Sequence, residues 1–241
     1  MTREAGMALG RLSERAFAVV AGAWPVEPPA PDDVRLLLDS ADEATADALK
    51  AAASRARDSG LGPRLVARAL IEISSYCGNS CRYCGLNACN RLARRYSLSK
   101  DEIVESASRA FRAGLRTIVL QSGEDGRDTA ELSAIIGAVK RAGFRPDAVD
   151  GAGYPAVTLS LGERPEADYA AWKEAGADRY LMRMETGDRE LYAALHDGRG
   201  LDSRLACHAA LRRLGYQLGS GIMVGLPGQS VSGIALDLAA M

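Results

Sequence analysis

From residue 70 onward, short apolar runs alternate with longer amphipathic ones, and that alternation leaves few folds open. Strand-like runs lie at 70–74, 117–121, 157–161, about 179–183 and 218–224, and helical periods at 99–112, 129–141, 166–174 and 203–214 lie between them. Ser99 with Glu102 fits a capping box, and Gly143, Gly176 and Gly215 stand where helices should stop. Strands that alternate with helices are parallel and joined by right-handed crossovers, so the chain is α/β, either an open doubly wound sheet or a (β/α) TIM-type barrel. The barrel is preferred because polar or glycine-rich residues follow each strand: a cysteine-rich loop, then 122–124, 162–163, 185–186 and 225–229.

A full eight-unit barrel takes about 250 residues, whereas residues 71–241 number 171. An incomplete barrel of about five strand–helix units is therefore expected, its last helix over 230–241: either a partial barrel as such or, the preferred expectation, a piece of a longer protein. Residues 1–69 are expected to form an N-terminal helical extension and 70–241 the barrel core. In the extension, 12–20 is apolar on one face, Trp24-Pro25 and the prolines at 28–31 interrupt, and a helix resumes over 32–57, capped by Asp32 or Asp33.

The loop after the first strand reads Tyr76-Cys77-Gly78-Asn79-Ser80-Cys81-Arg82-Tyr83-Cys84 and gathers three of the five cysteines in a C-x3-C-x2-C spacing. Three thiolates on one loop suit a cubic 4Fe-4S cluster, which takes one thiolate per iron and would keep one iron open for a substrate or cofactor. Zinc is the other reading, with Cys89 as fourth ligand, although no second Cys/His half-site exists. A disulfide framework does not fit an odd cysteine count in a long chain whose apolar run from Ala16 to Trp24 follows Glu14 and not a basic leader.

Thirty basic residues balance 31 acidic ones, for a net charge of −1, which removes the electrostatic footprint of a general nucleic-acid binder. No run approaches the roughly 20 apolar residues of a membrane span. A cytoplasmic protein is expected, since thiolates awaiting an iron–sulfur cluster must stay reduced.

The cysteine loop, with aromatic Tyr83 before its third cysteine, resembles the signature of the radical S-adenosylmethionine (radical SAM) superfamily. Five further runs, 71–77, 117–125, 158–163, 175–180 and 223–229, resemble the HydE family of FeFe-hydrogenase maturases, so the resemblance covers roughly residues 30–241. Methylornithine synthase and biotin synthase share part of the pattern; Arg183-Met184-Glu185-Thr186 speaks against the latter, whose strand four resembles an asparagine-rich run. Met184 and the long stretch 144–155 depart from the HydE pattern, as does the short barrel.

The resemblance implies a 4Fe-4S cluster on Cys77, Cys81 and Cys84 and S-adenosylmethionine bound to the open iron. It implies further that Glu124, with Ser122 and Gly123, meets the amino group of that cofactor, that Glu185 and Arg204 hold the polar end of its methionine part, and that Tyr83 lies by the adenine. Gly221, Met223 and Gly225 match the strand-five motif, where small residues let the backbone approach the adenine. If strand alternation holds, Gln121, Ser122, Thr158, Ser160 and Arg183 face the cavity, with Arg183 set for an anionic group. Cys89 and Cys207 read as spare thiols, His196 and His208 as surface-helix residues, and 225–228 as too weak a pattern for a phosphate loop.

The function implied is reductive cleavage of S-adenosylmethionine in assembly of the diiron site of FeFe hydrogenase. The implied partners are a low-potential electron donor, other hydrogenase maturases and a small-molecule or iron-bound substrate, with neither nucleic acid nor membrane. The alternatives are a methylornithine-synthase-like or biotin-synthase-like enzyme, or an inactive cluster-binding fragment.

Overall fold

The computed structural model describes residues 1–20, 27–40, 42–63, 65–146 and 153–240. Trp24 and Pro25, and residues 147–152 of the stretch 144–155, lie outside them. The chain divides into two units: residues 67–184 with 192–221, and residues 1–66 with 185–191 and 222–241.

Among the described residues, the first unit contains one five-stranded sheet: β1 (Ala69–Ser74), β2 (Thr117–Ser122), β3 (Ala156–Ser160), β4 (Arg179–Leu181) and β5 (Gln217–Gly219), in the order of the chain and parallel throughout. Helices intervene, so the unit is a partial α/β barrel of the type the alternation predicts. In chain order the helices among the described residues are α1 (Arg3–Val20), α2 (Pro31–Asp39), α3 (Glu43–Leu61), α4 (Lys100–Arg112), α5 (Thr129–Ala142), α6 (Glu166–Glu174), α7 (Arg189–Leu195), α8 (Leu201–Arg213) and α9 (Val231–Ala239).

One face of the sheet packs against helices. Ile71, Ile73, Ile118, Leu120, Val157, Leu159 and Tyr180 alternate along the strands and are buried with Ile103, Phe111, Ile136 and Trp172 from α4, α5 and α6. Each such side chain contributes about 1.5–3 kcal/mol by leaving water. The opposite face carries Glu72, Gln121, Thr158, Ser160 and Arg179, so polar chemistry is confined to the side that in a barrel is the interior. The pairing of β1 with β2 slips between Glu72 and Ser74, a bulge that re-aims the chain just before the cysteine loop.

Two strands are shorter than the sequence predicts. The runs 179–183 and 218–224 yield only Arg179–Leu181 and Gln217–Gly219. The Ser220 hydroxyl accepts the Met184 N–H at 3.2 Å, a place the ladder would give to a backbone carbonyl, so regular pairing stops there. Ile222 then makes an isolated parallel bridge with Glu185 in the second unit.

In the second unit, α1 packs on both α2 and α3, and α2 packs on α9. The single helix expected over 32–57 is two helices. The Ser40 N–H and hydroxyl both turn back to the Leu36 carbonyl, and Asp42 starts α3 by accepting from the Thr45 N–H at 2.9 Å and the Thr45 hydroxyl at 2.7 Å. Neither Asp32 nor Asp33 caps α2. Ala30 takes that place with Pro31 in the first turn, and Asp33 pairs with Arg11 instead, which holds its carboxyl below the usual range. Helix α9 is capped by Ser230 and tied to the 185–191 segment by the Gly187 N–H, which donates to the buried Asp237 carboxylate at 2.6 Å. Among the described residues no helix is long and apolar enough to cross a membrane.

Candidate functional site

The cysteine loop leaves β1 and is fixed to the sheet by a missing side chain. A Cβ on Gly123, at the end of β2, would overlap the Tyr76 carbonyl oxygen and sit 2.5 Å from the Cys77 Cβ. Only glycine lets the loop lie this close, and the Gly78 N–H then donates to the Glu124 carbonyl at 2.9 Å. On its far side the loop is gathered by Arg95, whose guanidinium donates to the carbonyl oxygens of Ser75, Leu86 and Asn87. Sequence reasoning missed Arg95. The cluster of loop carbonyls that needs a multivalent donor was the only hint available.

Cys81 is buried, whereas Cys77 and Cys84 are half-buried and form part of the wall of a cavity of about 390 Å³. The same cavity is lined by Glu72, Gln121, Ser122, Gly123, Ser160 and Arg183 from the polar face and ends of the strands. Thr158 is buried on the same strand as Ser160, and its hydroxyl oxygen has no hydrogen-bond partner. Burial pushes the Cys81 thiol above its ordinary range, while the Arg199 guanidinium and Tyr83 hydroxyl pull it down.

The donor set fits a cluster better than a lone ion. Among the described residues no three His, Cys, Asp or Glu side chains converge as a single-ion site requires. Zinc would draw its thiolates to about 2.3 Å from one point, whereas a cubane takes one thiolate per iron and so keeps the sulfurs apart. Three thiols on one loop, seated against β2 by a glycine that admits nothing larger, match in number the thiolate set of a cubane with one iron left open.

Next to the loop, Glu124 and Arg204 face each other. A Cβ on Gly162, which has φ +74°, would overlap the Glu124 side chain, so this glycine opens the slot the carboxylate occupies. There Glu124 accepts from the Glu163 N–H at 3.0 Å and lies 3.9 Å from the Arg204 guanidinium. Arg204 is no surface residue. It is buried on α8, its Nε donating to Glu163 at 2.8 Å and its Nη1 to the Arg183 carbonyl at 2.8 Å. Burial alone would lower its pKa, but Tyr192, Glu163 and Glu124 more than offset it and hold the group above its ordinary value, hence charged. Glu163 appeared in the sequence only as a strand-end residue; the structure makes it the anchor of Arg204.

Tyr83 is half-buried, and its hydroxyl meets the Nε2 of His196 at 2.9 Å with the rings edge to face. His196 corrects the expectation of a surface-helix residue: it is 1% exposed, and its Nδ1 lies 2.7 Å from the Tyr192 carbonyl. It follows α7, a helix the sequence reading did not anticipate although Asp188 caps it by accepting from the Glu190 and Leu191 N–H groups. Burial lowers the pKa of His196 and so favours the neutral ring. His208 is also partly buried, its Nε2 2.9 Å from the Met182 carbonyl. Cys89 is exposed and Cys207 half-buried, away from the cavity wall.

Gly221 belongs to the same unit, and a Cβ there would meet the Arg183 methylenes at an ordinary 3.4 Å. Glu185, Met223 and Gly225 belong to the second unit. Glu185 is buried with φ 67°, and its carbonyl accepts from the Met223 N–H at 2.8 Å. Gly225 has φ +87°, and the turn it starts is clamped by the Gln229 side chain, which accepts from the Gly225 N–H and donates to the Met223 carbonyl. Those bonds give 225–229 an internal role as a closed turn.

The Radical SAM superfamily model matches residues 71–238. The chain is 42% identical over 193 residues to the [FeFe] hydrogenase maturase subunit HydE of Thermotoga maritima, an alignment covering 80% of this chain and 52% of that protein. It is 29% identical over 213 residues to the 3-methylornithine synthase of Methanosarcina barkeri, covering 87% and 57%. A crystal structure of methylornithine synthase (PylB) superposes with a TM-score of 0.80 at 26% identity, covering 95% of this chain and 64% of that one. The chain thus spans about half the length of the curated relatives it matches.

Proposed function

Because the chain belongs to the radical SAM superfamily, we propose that it holds a 4Fe-4S cluster on Cys77, Cys81 and Cys84, binds S-adenosylmethionine at the iron left open, and acts as a HydE-type maturase in building the diiron site of FeFe hydrogenase. The observation that carries the maturase reading is the 42% identity to HydE over 80% of the chain. Bound there, the cluster supplies the low-potential electron for reductive cleavage of S-adenosylmethionine.

The remaining work falls to the chain's own residues. Glu124, in the slot opened by Gly162, offers a carboxylate to the cofactor's ammonium, with Ser122 and Gly123 at its side. Arg204, kept charged and held by Glu163, offers a bidentate fork to its carboxylate. On the family pattern Glu185 serves the same methionine end, and Tyr83, Gly221, Met223 and Gly225 serve the adenine. Arg183 and Gln121 in the cavity wall address the substrate, a sulfur-containing, iron-bound precursor handed over by another hydrogenase maturase. A low-potential electron donor completes the set of partners. The place of work is the cytoplasm, where thiols stay reduced.

A second reading, a methylornithine-synthase-like carbon-skeleton mutase, is favoured by the superposition on methylornithine synthase. The two separate in one assay. The chain is reconstituted anaerobically with iron and sulfide and reduced with dithionite, and 5′-deoxyadenosine formed from S-adenosylmethionine is measured by chromatography with lysine or a diiron precursor added. The maturase reading expects Cys81-dependent product stimulated by the precursor. Stimulation by lysine alone supports the mutase, and a cluster that yields no product marks an inactive cluster-binding chain.

A further inference from the structure

Four consecutive residues of the cysteine loop meet one short segment that follows them by more than a hundred residues. The Ser80 hydroxyl donates to Asp197 Oδ2 at 3.1 Å, the Cys81 sulfur lies 3.7 Å from Arg199 Nη2, the Arg82 N–H donates to the Leu195 carbonyl at 3.0 Å, and the Tyr83 hydroxyl meets His196 at 2.9 Å. The segment is the turn that ends α7.

That turn is held in an uncommon conformation. Asp197 has φ 58° and Gly198 φ 81°, two left-handed residues in succession, the first of them not a glycine. The Gly198 N–H donates back to the Ala193 carbonyl at 2.8 Å and the His196 N–H to Tyr192 at 3.0 Å, which closes the helix end. The His196 ring is stacked on Tyr192 with centroids 3.8 Å apart, so the base of the turn is rigid. Asp197 and Arg199, on either side of Gly198, are the residues of the turn whose side chains meet Ser80 and Cys81. A non-glycine residue kept in this region points to a function for the geometry it creates.

Resting on the cluster assignment proposed above, we infer that the 195–199 turn is the seat of the cysteine loop and that Arg199, laid against Cys81, is a positioning residue that sets the reduction potential of the cluster.

The physical basis is charge. Reduction adds one electron to a group already surrounded by thiolates, and hydrogen bonds and charges at the sulfurs govern how easily that happens. A guanidinium in contact with one sulfur stabilises the reduced state more than the oxidised one and raises the potential. Asp197 carries the opposite charge nearby but spends its acceptor on the Ser80 hydroxyl. Removing either charge is therefore expected to move the potential in opposite directions, a pattern that a purely structural turn would not produce.

The test uses the whole chain, reconstituted with iron and sulfide, in four forms: unaltered, Arg199→Gln, Arg199→Lys and Asp197→Asn. Iron and sulfide per chain are counted, and the midpoint potential is read by electron paramagnetic resonance during a stepwise reductive titration. Arg199→Gln is expected to keep the cluster and move the midpoint to a more negative value, Arg199→Lys to restore most of the shift, and Asp197→Asn to move it the other way. Loss of the cluster in Arg199→Gln but not in Arg199→Lys also supports a seat that works through charge. Equal midpoints in the unaltered and Arg199→Gln proteins overturn the inference, as does a lysine variant that behaves like the glutamine one. Failure of the unaltered chain to assemble any cluster would instead refute the underlying reading.

Discussion

Gly162 shows how one residue type carries a functional geometry. Its left-handed backbone and absent Cβ together make the slot in which Glu124 meets the Glu163 N–H and Arg204. Gly162→Ala is expected to cost about 1 kcal/mol from the backbone conformation alone. It should also displace the Glu124 carboxylate, so that affinity for S-adenosylmethionine, read by equilibrium binding, falls several-fold while iron and sulfide content stays normal. Unchanged affinity would remove Glu124 from the cofactor site. At this scale motif and register singled out the cysteines, Glu124 and Arg204, and the structure places Cys77 and Cys84 on the cavity wall and Glu124 3.9 Å from Arg204. Glu163 and His196 were not legible in the sequence, since their partners lie 41 and 113 residues away and pattern along the chain does not report contacts across it, and Arg95 was not, since its acceptors are backbone carbonyls that no side-chain pattern marks.

Histidine ionisation gives a second check among residues. Burial lowers the pKa of both His196 and His208 from 6.5, so the folded chain resists protons that the unfolded chain accepts below that value. Their contribution to stability is therefore full above about pH 6.5 and is lost as pH falls toward their folded values. The melting temperature of the cluster-free chain should drop between pH 7 and 5.5. His208→Gln, which removes one of the two groups, should flatten that dependence; an identical slope in the variant would mean the ring is as free to protonate in the folded state as in the unfolded one.

Elements were read well where their ends are chemically marked and poorly where a side chain intervenes. Ser99 and Glu102 form the full capping box of α4, each side chain bonded to the other's backbone N–H. Ser99→Ala is expected to lower unfolding free energy by about 1 kcal/mol in urea titration, with little change in the slope. A loss below about 0.3 kcal/mol would show that the packing of Ile103, Ala107 and Phe111 alone defines the helix start. By contrast, β4 and β5 end early because the Ser220 hydroxyl captures a ladder N–H, and α2 separates from α3 because Asp42 offers a better start than a continued turn. Hydrophobic period cannot foresee either, because both are decided by a single polar side chain competing with the backbone.

On the scale of the molecule, the α/β class and the parallel order of five strands were legible in the alternation from residue 70, and the polar face of the sheet follows from strand period alone. The grouping of 185–191 and 222–241 with the N-terminal helices was not, because such a grouping depends on contacts that no local pattern encodes. The cysteine loop, its glycine seat and the cavity beside it are all contained in the unit that carries the sheet. Electron paramagnetic resonance of the reduced, reconstituted chain decides whether this loop holds a cluster with one iron open to S-adenosylmethionine. The expected result is a 4Fe-4S signal that is absent from Cys81→Ala and changes shape when S-adenosylmethionine is added. A cluster signal indifferent to S-adenosylmethionine, or one that persists in Cys81→Ala, would rule out an open-iron cluster on this loop.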